Sequence, residues 1–150
     1  MLVNRLYPEQ PLVGIGAVVI CNGKILLEKR KGEPGRGKWT IPGGLVELGE
    51  DTEQTVIREV REETNLKVEK PRLIDVVDSL TADEDGKIKY HFVILDYFVK
   101  LKGGTLKAAD DAAELKWVKF GEVENYDLTK SFIEFFQRNR EKLEKFNSCP

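Results

Sequence analysis

Two adjacent glycines followed by a helix with three acids on one side constrain this chain more than any other feature. The segment from Gly43 to Leu66 reads GGLVELGEDTEQTVIREVREETNL. Asp51 is suited to cap a helix, and Gln54, three residues on, completes a capping box. Val56, Ile57, Val60 and Thr64 then fall on one side of that helix. At about 100° per residue, Glu59, Glu62 and Glu63 fall within an arc of roughly 100° on another side. Ionised carboxylates so close repel one another, and like charges at this spacing destabilise a helix. A divalent cation removes the conflict. Hard oxygen ligands suit Mg²⁺ or Mn²⁺, which keep some waters and grip phosphate oxygens. The plainer alternative is a solvated acidic face balanced by Arg58 and Arg61. The glycine turn and the isolated Glu50 favour the metal reading. Asn65 stands where a helix ends, and Asn tolerates the left-handed conformation that such ends often need.

The chain has 150 residues, enough for one domain over residues 1–150 with a real core. Its formal net charge is −2, from 24 basic and 26 acidic side chains. That balance gives no reason to expect a nucleic-acid polymer or a membrane as partner, but it does not exclude a small anionic ligand. Cys21 and Cys149 lie far apart with no metal-ligand spacing between them, so reduced thiols and a cytoplasmic protein are the default expectation. The N-terminus lacks a basic segment followed by an apolar run, so no secretion signal is expected. No apolar stretch approaches membrane-spanning length.

Residues 1–11 read as a short polar lead-in. Leu12 to Cys21 reads as a strand, Asn22-Gly23 as a hairpin turn and Lys24 to Lys31 as the returning strand. A loop of Gly, Pro and charge follows to Lys38. Beyond the acidic helix, strands are expected over Leu73 to Leu80, Lys87 to Leu101 and Leu115 to Phe120. Leu128 to Lys145 has helical spacing. Strands with one helix inserted and another at the end suggest an α+β or mixed α/β sandwich.

From Gly44 the acidic segment runs G-x5-E-x7-R-E-V-x-E-E-x-N-L. This resembles the signature box of the Nudix hydrolases, G-x5-E-x7-R-E-U-x-E-E-x-G-U with U aliphatic, at every position but the last glycine, here Asn65. A looser likeness covers about residues 12 to 125. The resemblance implies an α/β/α sandwich with a mixed sheet. It also implies hydrolysis of a nucleoside diphosphate linked to another moiety, with Mg²⁺ or Mn²⁺ as cofactor.

The same resemblance assigns roles. The Gly43 carbonyl and the carboxylates of Glu59 and Glu63 would bind the metal, and Glu62 a second ion or its waters. Arg58 would orient the acids, with Glu50 as its bidentate partner. A general base would come from one of these glutamates or from a distant loop. Glu114 leads there, with Asp110 and Asp111 competing. Gly44 and Gly43 let backbone approach phosphate closely. Arg30 and Arg36 are candidates for substrate phosphate, with Lys38 behind them, although exposed surface charge is the plainer reading for each. Trp39 is a candidate for base stacking, as are Tyr90, Phe92, Tyr97 and Trp117, although aromatics on strands are more often core. His91, alone in an aromatic strand, is assigned no chemistry.

The layout leans to ADP-ribose, split to AMP and ribose 5-phosphate. Two subgroup markers are missing, however. Ala82 stands where one type of ADP-ribose pyrophosphatase has proline, and Asp83 where diadenosine polyphosphate hydrolases tend to have tyrosine. A nucleoside triphosphate pyrophosphohydrolase, acting for example on an oxidised dNTP, is the alternative. A non-catalytic nucleotide-binding regulator and a merely metal-stabilised protein are the remaining readings. Many relatives pair, which leaves a homodimer open, but no stretch reads as an interface.

Overall fold

The computed structural model describes residues 4–108 and 114–150. Its first strand shows how the sequence builds two sheets from one run. The Val- and Ile-rich stretch expected as one strand breaks at Val19 into β1 (Leu12–Val18) and β2 (Ile20–Cys21). β1 stays in one sheet and β2 enters another. Asn22 and Gly23 then turn the chain with φ of 53° and 74°, the conformation for which Asn-Gly suits a tight hairpin. β3 (Lys24–Lys29) returns antiparallel to β2.

β4 (Trp39–Thr40), β5 (Gly43–Leu45) and helix α1 (Thr52–Thr64) follow. Two long strands, β6 (Leu66–Ala82) and β7 (Ile88–Gly104), form an antiparallel ladder. Pro71 lies in the register shift between Glu69 and Arg72, where a missing N–H is tolerated. β8 (Glu114–Lys119), a 3₁₀ turn (Phe120–Asn125) and helix α2 (Lys130–Leu143) complete the order.

The first sheet runs β5-β1-β7-β6. It is mixed, because β1 and β7 are parallel while the other pairs are antiparallel. The second holds β2-β3-β4 with β8 on β3. α1 buries Val56 and Val60 against Ile15, Ala17, Val19 and Leu26. α2 buries Phe132, Phe135, Phe136 and Leu143 against Val18, Ile25, Leu27 and Phe98. The two helices thus cover opposite faces of β1, which is the α+β sandwich expected. On α1 the expected apolar side is corrected at one position. Ile57 is exposed and Thr55 is buried in its place. Its hydroxyl donates to Glu50 Oε1 and to the Asp51 carbonyl, at 2.7 and 3.0 Å, which removes the cost of burying it.

The expectation of reduced cysteines is overturned. Cys21 and Cys149 form a disulfide across 128 residues of sequence, a pairing that spacing could not reveal. The C-terminal tail is also held by backbone. Ile20 N donates to Ser148 Oγ (2.9 Å), and Leu101 N to the Ser148 carbonyl (2.7 Å). Phe146 packs on Phe98, with ring centroids 4.4 Å apart. Among the described residues, no helix is long and apolar enough to cross a membrane.

Closing so long a loop restricts the unfolded chain, and such a link typically contributes about 2–4 kcal/mol. Reductant should therefore lower the melting temperature of the wild type and leave Cys149→Ser unchanged. Two titratable thiols in the untreated native protein, with a melting temperature indifferent to reductant, would contradict this.

Candidate functional site

The capping box sets where α1 begins. Asp51 Oδ1 accepts from Gln54 N (2.8 Å), and Gln54 Oε1 accepts from Asp51 N (2.9 Å). Asn65 closes the helix in the left-handed conformation, φ 64°, as its side chain allows. The helix is thereby held in register against β5, with its acids beside the glycine turn. A Cβ on Gly44 would collide with the Glu59 carboxylate, and one on Gly43 with the Ile15 carbonyl. Close approach of the Ile15 carbonyl requires glycine at 43, while at 44 a side chain would push the flexible Glu59 carboxylate aside.

Arg58 organises the acids. Its Nε and Nη2 donate to the two oxygens of Glu50, at 2.7 and 2.9 Å. Nη1 donates to Glu59 Oε1 (2.7 Å) and Glu62 Oε2 (3.2 Å), and Nη2 also to the Leu45 carbonyl (3.2 Å). These bonds pull the Glu50 carboxyl down to about 2 and raise the Arg58 guanidinium further above its ordinary value.

Glu59 and Glu63 behave oppositely. Burial, then the charge of Glu63, pushes Glu59 up to about 7. Burial, then a hydrogen bond with Glu28, pushes Glu63 up to about 10. Glu63 Oε2 also accepts from Gly43 N at 3.3 Å. Glu59, Glu63 and Glu28 thus form a hydrogen-bonded run of carboxyls that must hold protons to coexist.

Glu28 is the acid that sequence reasoning missed. It lies on β3 on the same side as Leu26, which packs against α1, and it is buried. Its signal was an acid closing the otherwise apolar run Ile25-Leu26-Leu27.

These groups help to line a cleft of about 900 Å³. Glu28, Arg30, Gly43, Gly44, Glu59, Glu62 and Glu63 meet there. Arg30 Nε donates to the Pro34 carbonyl (2.7 Å), and among the described residues its Nη atoms make no hydrogen bond. Burial lowers its pKa, while the acids Glu28 and Glu63 act the other way. Tyr90 and Phe92 line the cleft farther along β7, with stacked ring centroids 6.3 Å apart.

Other expected site residues fall elsewhere. Trp39 is a core residue, edge-on to Tyr126 at 5.4 Å, and does not line the cleft. Arg36 is exposed, 3.8 Å from Glu33, and also lies outside the lining. Glu114 opens β8 opposite Lys29, 3.9 Å away, and is likewise outside it. Tyr97 packs in the α1 core with its hydroxyl 2.7 Å from Thr52 Oγ1, and Trp117 packs against the same cluster. Asp110 and Asp111 lie outside the described residues.

Among the described residues, no three acid, His or Cys side chains are gathered as a ready cage for a metal. The donor chemistry nonetheless fits a hard cation that keeps most of its waters. Two half-buried carboxyls, Glu59 and Glu63, sit together beside backbone that glycine leaves uncovered, and a cation would displace the protons that their raised pKa values favour.

The model of the NUDIX domain matches residues 10–138, and the chain belongs to that family. It is 39% identical over 113 residues to an ADP-ribose pyrophosphatase of Methanocaldococcus jannaschii, covering 75% of this chain and 64% of that protein. The chain thus spans less than two-thirds of that relative's length. It spans 36% of a putative mutator protein MutT4 of Mycobacterium tuberculosis, at 34% identity over 59% of this chain. Among solved structures, a MutT NUDIX hydrolase from Burkholderia pseudomallei superposes with a TM-score of 0.70 at 32% identity, covering 93% of this chain and 100% of that one.

The carboxyl run makes a prediction about metal-free protein. In the folded state Glu59 and Glu63 keep protons that the unfolded chain releases near 4.5. Between that pH and about 7 the folded state therefore binds more protons, and stability falls as pH rises. Thermal unfolding in chelator should show a melting temperature that drops from about pH 5 to pH 8, equivalent to a few kcal/mol. Glu63→Gln should flatten the drop. A wild-type melting temperature that rises through this range would contradict the protonated run.

Proposed function

We propose that the chain is a divalent-metal-dependent pyrophosphohydrolase that cleaves ADP-ribose, or a closely related nucleoside diphosphate derivative, to AMP and ribose 5-phosphate. The observation that carries this reading is the run Glu59–Glu63–Glu28 beside Gly43-Gly44, in a cleft that Tyr90 and Phe92 also line. The name of the Methanocaldococcus relative supports the same substrate class. So does a bifunctional NMN adenylyltransferase/ADP ribose pyrophosphatase from Francisella tularensis, solved with AMP and Mn ion. It superposes with a TM-score of 0.65 at 25% identity, covering 89% of this chain and 42% of that one.

In this reading Glu59, Glu63 and the Gly43 carbonyl hold the cation, and exposed Glu62 reaches its waters or a second ion. When bound, Mg²⁺ or Mn²⁺ neutralises the diphosphate and makes water more acidic. Arg58 keeps Glu59 and Glu62 turned toward the turn. Glycine at 43 and 44 leaves room for phosphate against backbone. Arg30 presents its Nη atoms to a phosphate oxygen. Water oxygen forms a bond to phosphorus, the bridging P–O bond breaks, and the proton passes to a carboxylate of the acidic end. Glu28, which shares a hydrogen bond with Glu63, is placed to relay it.

A panel of ADP-ribose, NADH, diadenosine tetraphosphate, sugar nucleotides and ordinary and oxidised dNTPs, with Mg²⁺ or Mn²⁺, tests the reading. AMP and ribose 5-phosphate from ADP-ribose are expected. Glu63→Gln should lose about 100-fold or more, since even groups that only support a metal ligand cost up to that much. Pyrophosphate released from a triphosphate in preference would overturn the substrate assignment. Wild-type turnover by Glu63→Gln would overturn the metal assignment.

A further inference from the structure

Asp96 is a buried acid for which the proposed chemistry has no use. It lies on β7 between Leu95 and Tyr97 and is 4% exposed. Among the described residues, no hydrogen bond or ion pair engages its carboxyl. Its neighbour across the ladder, Asp75, is fully engaged. Asp75 Oδ2 accepts from Arg138 Nε and Asn139 Nδ2, both at 2.7 Å. Among the described residues no side-chain oxygen is sealed from solvent without a hydrogen-bond partner, so the Asp96 carboxyl, which has no protein partner, opens onto a cleft, and its place in the strand calls for a reason outside the fold.

The surroundings give one. Asp96 lines the same cleft as the acidic run, and so do Phe92 and Ile94 on the same side of β7. Gly16 is its register partner on β1. A Cβ there would run into Asp96 Oδ1 and Ile41, so glycine is what lets this oxygen and Ile41 lie against the β1 backbone. The apolar Ile41, Phe92, Ile94 and Phe132 line this cleft as well, together with polar groups such as Asp78, Thr129 and Glu134. Apolar walls with a few polar groups suit a flat heteroaromatic ring with a polar edge.

We propose that the Asp96 carboxyl is the specificity contact for the nucleobase, hydrogen-bonding the ring-nitrogen and exocyclic-amino edge of adenine. This rests on the nucleotide reading above and names the group that selects the base. The electrostatics agree with the geometry. Burial, then the charge of Asp75, pushes the carboxyl up to about 8, with Arg138 of α2 acting the other way. Gly16 and Ile41 bring no charge. At neutral pH the group therefore presents one O–H donor and one C=O acceptor, the complement of an adenine edge that offers one acceptor and one donor. A pocket built around such a pair rejects a base that lacks one partner, because the carboxyl is then left buried and unpaired.

The test compares ADP-ribose with its analogue lacking the 6-amino group, in wild type, Asp96→Asn and Asp96→Val. Binding of AMP and of purine riboside 5′-monophosphate is measured by calorimetry in parallel, which needs no turnover. The wild type should prefer the amino base by about tenfold, in KM rather than kcat. Asn, with the same donor and acceptor pair, should keep the preference. Val should abolish it while melting no lower than wild type, because it removes an unpaired buried acid from a strand. A residue with only a structural role would do the reverse. Equal binding of the two monophosphates by wild type, or an undiminished preference in Asp96→Val, overturns the proposal. Failure to hydrolyse ADP-ribose with the monophosphate preference intact and dependent on Asp96 supports it, and sinks the ADP-ribose reading alone.

Discussion

The guanidinium of Arg58 is the point on which the acidic end of this molecule turns. It joins the loop acid Glu50 through a bidentate pair, the helix acids Glu59 and Glu62, and the Leu45 carbonyl of β5. Loop, helix and strand are thereby fixed relative to one another. A planar fork with five donors can do this where an ammonium cannot. The fork also explains why the acids differ so much. Glu50 faces Arg58 squarely and stays ionised. Glu63 lies beyond its reach among other carboxyls and is pushed toward the protonated form.

Close approach is the second constraint. Gly43 and Gly44 lie where β5 meets β1 and α1, and both would clash with their neighbours if they carried a side chain. Gly16, on the β1 face that looks away from α1, lets Asp96 and Ile41 lie against its backbone. Bare backbone on both sides of one strand therefore separates two acids of different character. Glu63 is half-buried among other carboxyls, and Asp96 is buried beside Gly16 and Ile41. One cleft joins them.

What could be read from the sequence was local. The capping box, the left-handed Asn65, the Asn-Gly hairpin and the Glu50–Arg58 pair all follow from residues within a few turns of one another. What escaped depends on chain folded back from afar. Glu28 reaches Glu63 only because β3 packs beneath α1, and Asp96 meets Gly16 only through the parallel pairing of β1 with β7. The Cys21–Cys149 bond joins opposite ends of the chain. Trp39 reads as a candidate stacking ring on a strand, where aromatics are more often core, and its burial with Tyr126 edge-on against it puts it in the core. The NUDIX box thus located the acidic end of the site, while the fold supplied the rest of the cleft.

The central claim is that a divalent cation takes the place of protons that the raised pKa values of Glu59 and Glu63 favour. Calorimetric titration with Mn²⁺ at pH 7, repeated in buffers of different ionisation enthalpy, counts the protons exchanged on binding. The account predicts release of about one proton per metal bound, as expected when a ligand must ionise to coordinate, and a clear reduction of that release in Glu63→Gln. Metal binding with the same heat in every buffer would mean that Glu59 and Glu63 are already ionised, or take no part, and would contradict the account.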